Sequence, residues 1–91
     1  MYKLLFTNKF KKDFVRCEKR NYQTILFEAV VECLENNGKV PAKYKPHRLS
    51  GNYINHWECH IKPDWLLIWL QDDFKKEITL IRMGTHADLF D

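Results

Sequence analysis

The sequence predicts one α+β domain, with two N-terminal helices packed on a mainly antiparallel sheet in the order β-α-α-β-β-β. Three observations lead there. The chain has 91 residues, enough for one core of ordinary size but not two, so residues 1–91 form a single domain. Apolar residues recur at spacings of three and four from Phe10 to Leu34. From residue 52 to residue 83 three strand-length runs follow, separated by short polar turns.

Residues 2–6 read as a short first strand whose neighbour the pattern does not reveal. Thr7 or Asn8 can cap a helix over about 8–20, with Phe10, Phe14, Val15 and Cys17 on its apolar side and lysines and arginines elsewhere. Asn21 or Thr24 can cap a second helix, whose inner positions are Ile25, Leu26, Ala29, Val30, Cys33 and Leu34. Asn36-Asn37-Gly38 ends it, Gly38 suiting a left-handed C-cap. Residues 38–51 hold Pro41 and Pro46 and read as a loop. In 52–61, Tyr53, Trp57, Cys59 and Ile61 share one parity, predicted to be buried. His56, Glu58 and His60 share the other, predicted to be polar. Lys62-Pro63-Asp64 is a turn. Trp65 to Leu70 is apolar on both parities, as expected of a central strand covered on both sides. Ile78 to Met83 is a third strand of the meander, and His86 to Phe90 reads as a short tail.

Composition excludes several classes. Hydrophobic residues are 45% of the chain and charged residues 30%, a globular balance rather than a disordered one. No apolar run approaches the roughly 20 residues of a membrane span, and residues 1–6 lack the pattern of a signal peptide, so a cytoplasmic protein is expected. Three cysteines without a CxxC pair point to buried thiols in a reducing compartment. Net charge is +3, concentrated in residues 1–20 and in Lys39, Lys43, Lys45 and Arg48. That distribution permits an anionic partner.

The candidate chemistry lies in four histidines, His47, His56, His60 and His86. A zinc site built on His56 and His60 is not expected, because four residues along a strand separate them by about 13 Å. Nucleophilic catalysis by Cys59 is not expected either, since it alternates away from His60 into the core. Phosphate-binding glycine loops are absent. Metal-free acid–base work fits better: imidazoles take and return protons near neutrality, Glu58 shares a face with His60, and Arg82 can stabilise a developing anion.

Three segments resemble the YafQ-type toxins of the RelE superfamily. They are His47-Arg48-Leu49-Ser50-Gly51, then Glu58-Cys59-His60-Ile61-Lys62-Pro63-Asp64-Trp65-Leu66-Leu67-Ile68, then Arg82-Met83-Gly84-Thr85-His86-Ala87-Asp88-Leu89-Phe90. The resemblance implies a RelE-like toxin of a type II toxin–antitoxin system that cuts mRNA in the ribosomal A site without a cofactor or metal. It implies a cognate antitoxin as partner, expected to be an acidic, DNA-binding dimer, besides the ribosome and its mRNA. Direct DNA reading by the toxin itself is not expected. The family's functional positions fall on His47, His60, Asp64, His86 and Phe90, with Glu58, Trp65 and Arg82 in support. Several relatives carry Arg where this chain has Trp57: an RNA-facing cation is missing here, or is replaced by Arg48 or a nearby lysine, or the change is one of packing, since alternation turns Trp57 toward the helices. A missing cation would favour a protein that binds without cutting.

RNA carries its own nucleophile, the 2′-hydroxyl. A general base removes its proton, the oxygen attacks phosphorus in line, and a general acid protonates the leaving 5′-oxygen. In this reading His60 or His86 is the base or the acid, Asp64 orients a histidine, His47 contacts phosphate, and Phe90 or Trp65 stacks on a splayed base. The competing reading is a catalytically inactive protein of the same fold that blocks translation or only binds its antitoxin.

Overall fold

The structure, a computed structural model, describes all 91 residues. Its elements are β1 (Lys3–Phe6), α1 (Asn8–Lys19), α2 (Thr24–Asn37), β2 (His47–Arg48), β3 (Trp57–Lys62), β4 (Trp65–Asp72), β5 (Glu77–Gly84) and α3 (His86–Phe90). The predicted α+β order holds, with two additions: the two-residue strand β2 inside the expected loop, and a helix where a tail was expected. Single turns of 3-10 helix at Ala42–Tyr44 and Gly51–Tyr53 flank β2.

The strands form one sheet in the order β1-β5-β4-β3-β2. β3, β4 and β5 make the expected antiparallel meander, and β2 adds an antiparallel edge. The partner of β1 is β5, parallel, with Lys3 opposite Glu77 and Phe6 opposite Leu80. A bulge at Ile68/Trp69 makes Ile81 the extra residue of β5, so Ile68 faces Arg82 and Trp69 faces Leu80.

Each helix end has a local cause. The Thr7 side chain accepts the Phe10 N–H, as its position predicts. Neither Asn21 nor Thr24 caps α2; Gln23 occupies that position and makes no side-chain cap bond. Gly38 ends α2 in the left-handed conformation at φ 66°, with its N–H on the Leu34 carbonyl. The Tyr2 ring lies where a Cβ would be, within 2.5 Å. α3 begins with a reciprocal cap: Thr85 accepts the Asp88 N–H while Asp88 accepts the Thr85 N–H.

α1 and α2 cover one face of the sheet. The core there joins Phe10, Phe27, Val30 and Leu34 to Cys59, Leu67, Trp69, Leu80 and Met83. The inner stripes differ from the expected ones. Val15 and Ile25 are exposed, while Asp13 and Phe27 turn inward. The indole of Trp57 also lies on this side, stacked on Trp69 at 6.2 Å. The opposite face is covered only in part. Leu89 of α3, with Leu49 and Tyr53, seals Leu66 and Ile68. Tyr53, predicted to share the buried face of Trp57, therefore belongs to this second cluster. It sits in the turn before β3, where strand alternation does not apply. The rest of this face stays open, and the histidines stand there.

Candidate active site

β2 and β3 bring His47 opposite Glu58. His47 Nε2 lies 3.1 Å from Glu58 Oε1, and His60 Nε2 lies 3.9 Å from the same oxygen. Glu58 is buried although it shares the site face with His60, and its Oε2 has no hydrogen-bond partner. The Nδ1 atoms of both histidines face backbone carbonyls, His47 that of Lys45 at 2.9 Å and His60 that of Pro63 at 3.1 Å. A carbonyl only accepts, so each Nδ1 carries hydrogen and each Nε2 is the atom that gains or loses a proton. The two exchangeable nitrogens converge on one carboxylate. Lys45, whose carbonyl holds His47, has φ 51°, a left-handed conformation that costs a lysine about 1 kcal/mol.

Asp64 and His86 form a second unit. Asp64 Oδ1 accepts from the His86 backbone N–H at 2.9 Å and faces Nδ1 of the same ring at 2.6 Å. The two donors hold the Asp64 carboxyl below its usual range, the backbone bond first and the side-chain bond second. An ionised Asp64 keeps hydrogen on Nδ1, which leaves His86 Nε2 as the exchangeable atom, in a ring that is half exposed.

The rings line up. The centroids of His47 and His60 are 6.0 Å apart, those of His60 and His86 6.0 Å, and those of His86 and Phe90 6.3 Å. Phe90 is 48% exposed, and Tyr53 supports it edge-on. The carriers are β2, β3, the β3–β4 turn and α3. The structure thus brings His47, Glu58, His60, Asp64, His86 and Phe90 together.

Three predicted residues stand differently. Trp65 is 4% exposed and packs edge-on against Tyr22, so it offers no free face for a base; it closes the core under the β3–β4 turn. Arg82 gives its Nε and one Nη to Asp13 of α1, at 2.7 and 3.3 Å, and its other Nη reaches Tyr53 Oη at 3.5 Å. It is a tie between elements rather than a free cation. Arg48 is exposed and lies over the Trp57 ring at 5.1 Å, at the strand edge next to His47. Asp13, which anchors Arg82, was absent from the sequence reading. Its only sequence signal is that it is one of two acids, with Glu18, among the basic residues of α1.

His56 stands apart, packed on Tyr53 with Nδ1 on the Ile54 carbonyl. The histidine–carboxylate set with metal-binding geometry is instead His47, Glu58 and His60, whose donor atoms all lie within 4.8 Å of one another. The thiols take no part. Burial raises Cys17, and pushes Cys59 up to about 12.

A small α+β protein with an imidazole–carboxylate cluster on the open face of its sheet is the class that fold and site define. Comparison with known proteins narrows it: the chain belongs to the YafQ family, bacterial toxins of type II toxin–antitoxin systems, whose family model matches residues 2–91. The mRNA interferase toxin YafQ of Escherichia coli K12 is 34% identical over 86 residues, covering 93% of this chain and 91% of that one. The crystal structure of the E. coli DinJ–YafQ complex matches with a TM-score of 0.90 and 32% identity, covering 100% of both chains. A metal-bound toxin from Helicobacter pylori matches with a TM-score of 0.90 and 33% identity, covering 99% of this chain and 100% of that one. No helix is long and apolar enough to cross a membrane.

Proposed function

We propose that this toxin is an endoribonuclease that cuts mRNA on the ribosome by metal-free acid–base catalysis, and that an antitoxin holds it inactive. One observation carries the reading: the His60 and His86 rings stand 6.0 Å apart, with the exchangeable nitrogen of each set by the bond its Nδ1 makes to the β3–β4 turn. A proton-transfer reach of about 3 Å from either ring allows both to address one phosphodiester. One imidazole takes the 2′-hydroxyl proton, the oxygen attacks phosphorus, and the other gives a proton to the departing 5′-oxygen. The products are a 2′,3′-cyclic phosphate and a 5′-hydroxyl. Asp64 positions His86. Glu58 holds His47 and His60 in place and balances their positive charge as the phosphorane forms. Phe90 offers an exposed ring beside His86 for a splayed base.

The exposed lysines of α1 and of residues 39–45 would contact ribosomal RNA, so ribosome binding should weaken steeply with salt. Charge complementarity then favours an acidic antitoxin segment. The Trp57 ring is stacked on Trp69 with Arg48 over it, on the helix side of the sheet, so Trp in place of Arg is a packing change there.

The test is expression of wild type and His86→Ala from a tight promoter, with primer extension on a reporter mRNA. Codon-phased cuts should appear with wild type only. Purified toxin on programmed ribosomes should cut equally well after treatment with a chelator selective for transition metals that leaves the ribosome's magnesium in place. Growth arrest by both proteins without cuts would overturn the nuclease reading and leave a translation blocker.

A further inference from the structure

A cleft of about 450 Å³ opens on the other side of the β3–β4 turn, between that turn and the connection from α1 to α2. Its walls are Asn21, Tyr22 and Gln23 on one side and Lys62, Asp64 and Trp65 on the other. We propose that this cleft is the subsite for the nucleotide adjoining the cut, and that Asn21 and Gln23 read the edge of its base. The inference rests on the nuclease reading and assigns that enzyme a specificity pocket.

Continuity with the site is the first argument. The turn Lys62–Asp64 presents the Pro63 carbonyl to His60 and the Asp64 carboxylate to His86, and the same turn forms the cleft wall. An RNA strand seated between the two imidazoles would pass over this shared turn to bring its next residue to the cleft. The lining is the second argument. Tyr22 offers a half-buried ring, braced by Trp65 at 4.9 Å. Asn21 and Gln23 are exposed, and neither side chain has a hydrogen-bond partner within the protein. Primary amides carry both a donor and two acceptor lone pairs, the chemistry that pairs with base edges in single strands. Lys62 is exposed and free of ion pairs, so its ammonium is available to a phosphate. The Trp65 indole N–H, in the same wall, has no acceptor within the protein.

Two measurements test this. The first maps ribosome-dependent cuts on a randomised reporter for wild type and for the Asn21→Ala/Gln23→Ala double variant. Cleavage should persist, while discrimination between best and worst base at one position beside the cut falls at least fivefold. Unchanged preference at every position with cutting intact overturns the subsite and leaves the nuclease reading standing. The second does not need cleavage. A short 2′-O-methyl oligoribonucleotide of mixed sequence, whose blocked nucleophile cannot react, is titrated into isotope-labelled protein. In the wild type the Trp65 indole N–H and the Asn21 and Gln23 side-chain amides should shift together with the His86 ring; in the double variant the Trp65 shift should be weaker. Movement of the histidines alone, or movement of the cleft signals with antitoxin but not with the oligonucleotide, overturns the proposal.

Discussion

Two aspartates of this molecule each hold a nitrogen base, and they do opposite things with it. Asp13 is buried and accepts from Arg16, from two nitrogens of Arg82 and from the Met83 backbone N–H. Only Arg16 of that network is partly exposed, and the rest lies largely inside, so it joins α1 to β5. Asp64 is exposed and meets only His86. It fixes one ring nitrogen and leaves the other open. A carboxylate–cation pair thus becomes a structural clamp when all its bonding capacity is used and water is excluded. It becomes a chemical device when one exchangeable atom is left over.

Removing Asp13 should give the largest effect. Asp13→Ala strands a mostly buried guanidinium and a buried backbone N–H, and should destabilise the fold by about 3 kcal/mol in chemical denaturation. Activity should vanish with the fold. His86→Gln should do the reverse. Cleavage should fall by about a hundredfold to ten-thousandfold with the denaturation midpoint nearly unchanged, since exposed substitutions usually stay within about 0.5 kcal/mol. A large stability loss in His86→Gln would break the contrast.

Asp64→Asn should lie between them, with cleavage reduced by roughly tenfold to a hundredfold and stability kept. The pH–rate profile should change shape, because an amide no longer fixes the proton on His86 Nδ1. A mere drop in rate with an unchanged profile would make Asp64 structural.

The smallest effect concerns Asp88, which ties α3 to α1 through Arg20 at 2.6 Å. Its carboxyl is held well below the ordinary range, chiefly by the Arg20 bond. As pH falls through the ordinary carboxylate range near 4, the unfolded chain takes up this proton first. The stabilisation is therefore present at neutral pH and is lost progressively in acid. Asp88→Asn should cost about 1 kcal/mol at pH 7 and flatten that acid dependence in denaturation curves.

The comparison also explains what could be read from the chain. Periodicity exposed α2, and the doubly apolar run Trp65 to Leu70 exposed the central strand, because both signals are local. The histidines and Asp64 stood out through their place at strand ends and through the family motifs. Arg82 carried the same family signal yet proved to be a clamp, because its partner lies 69 residues away. Glu58 alternates as a solvent-facing residue but is buried, since β2 and His47 close over it. A two-residue strand has no pattern of its own. α3 did have a signal: Thr85 and Asp88 stand at capping-box spacing, but five residues are too few for helical periodicity to support it.

The sheet order has a consequence for synthesis. β1 pairs with β5, so the first strand made waits for the last, across 74 positions from Lys3 to Glu77. Contacts of such separation form late in folding. His86 and Phe90 follow directly after β5. A nascent chain interrupted before residue 77 lacks both the closing strand and His86. The order of the strands thus delays completion of both the sheet and the histidine cluster until synthesis has passed β5 and α3.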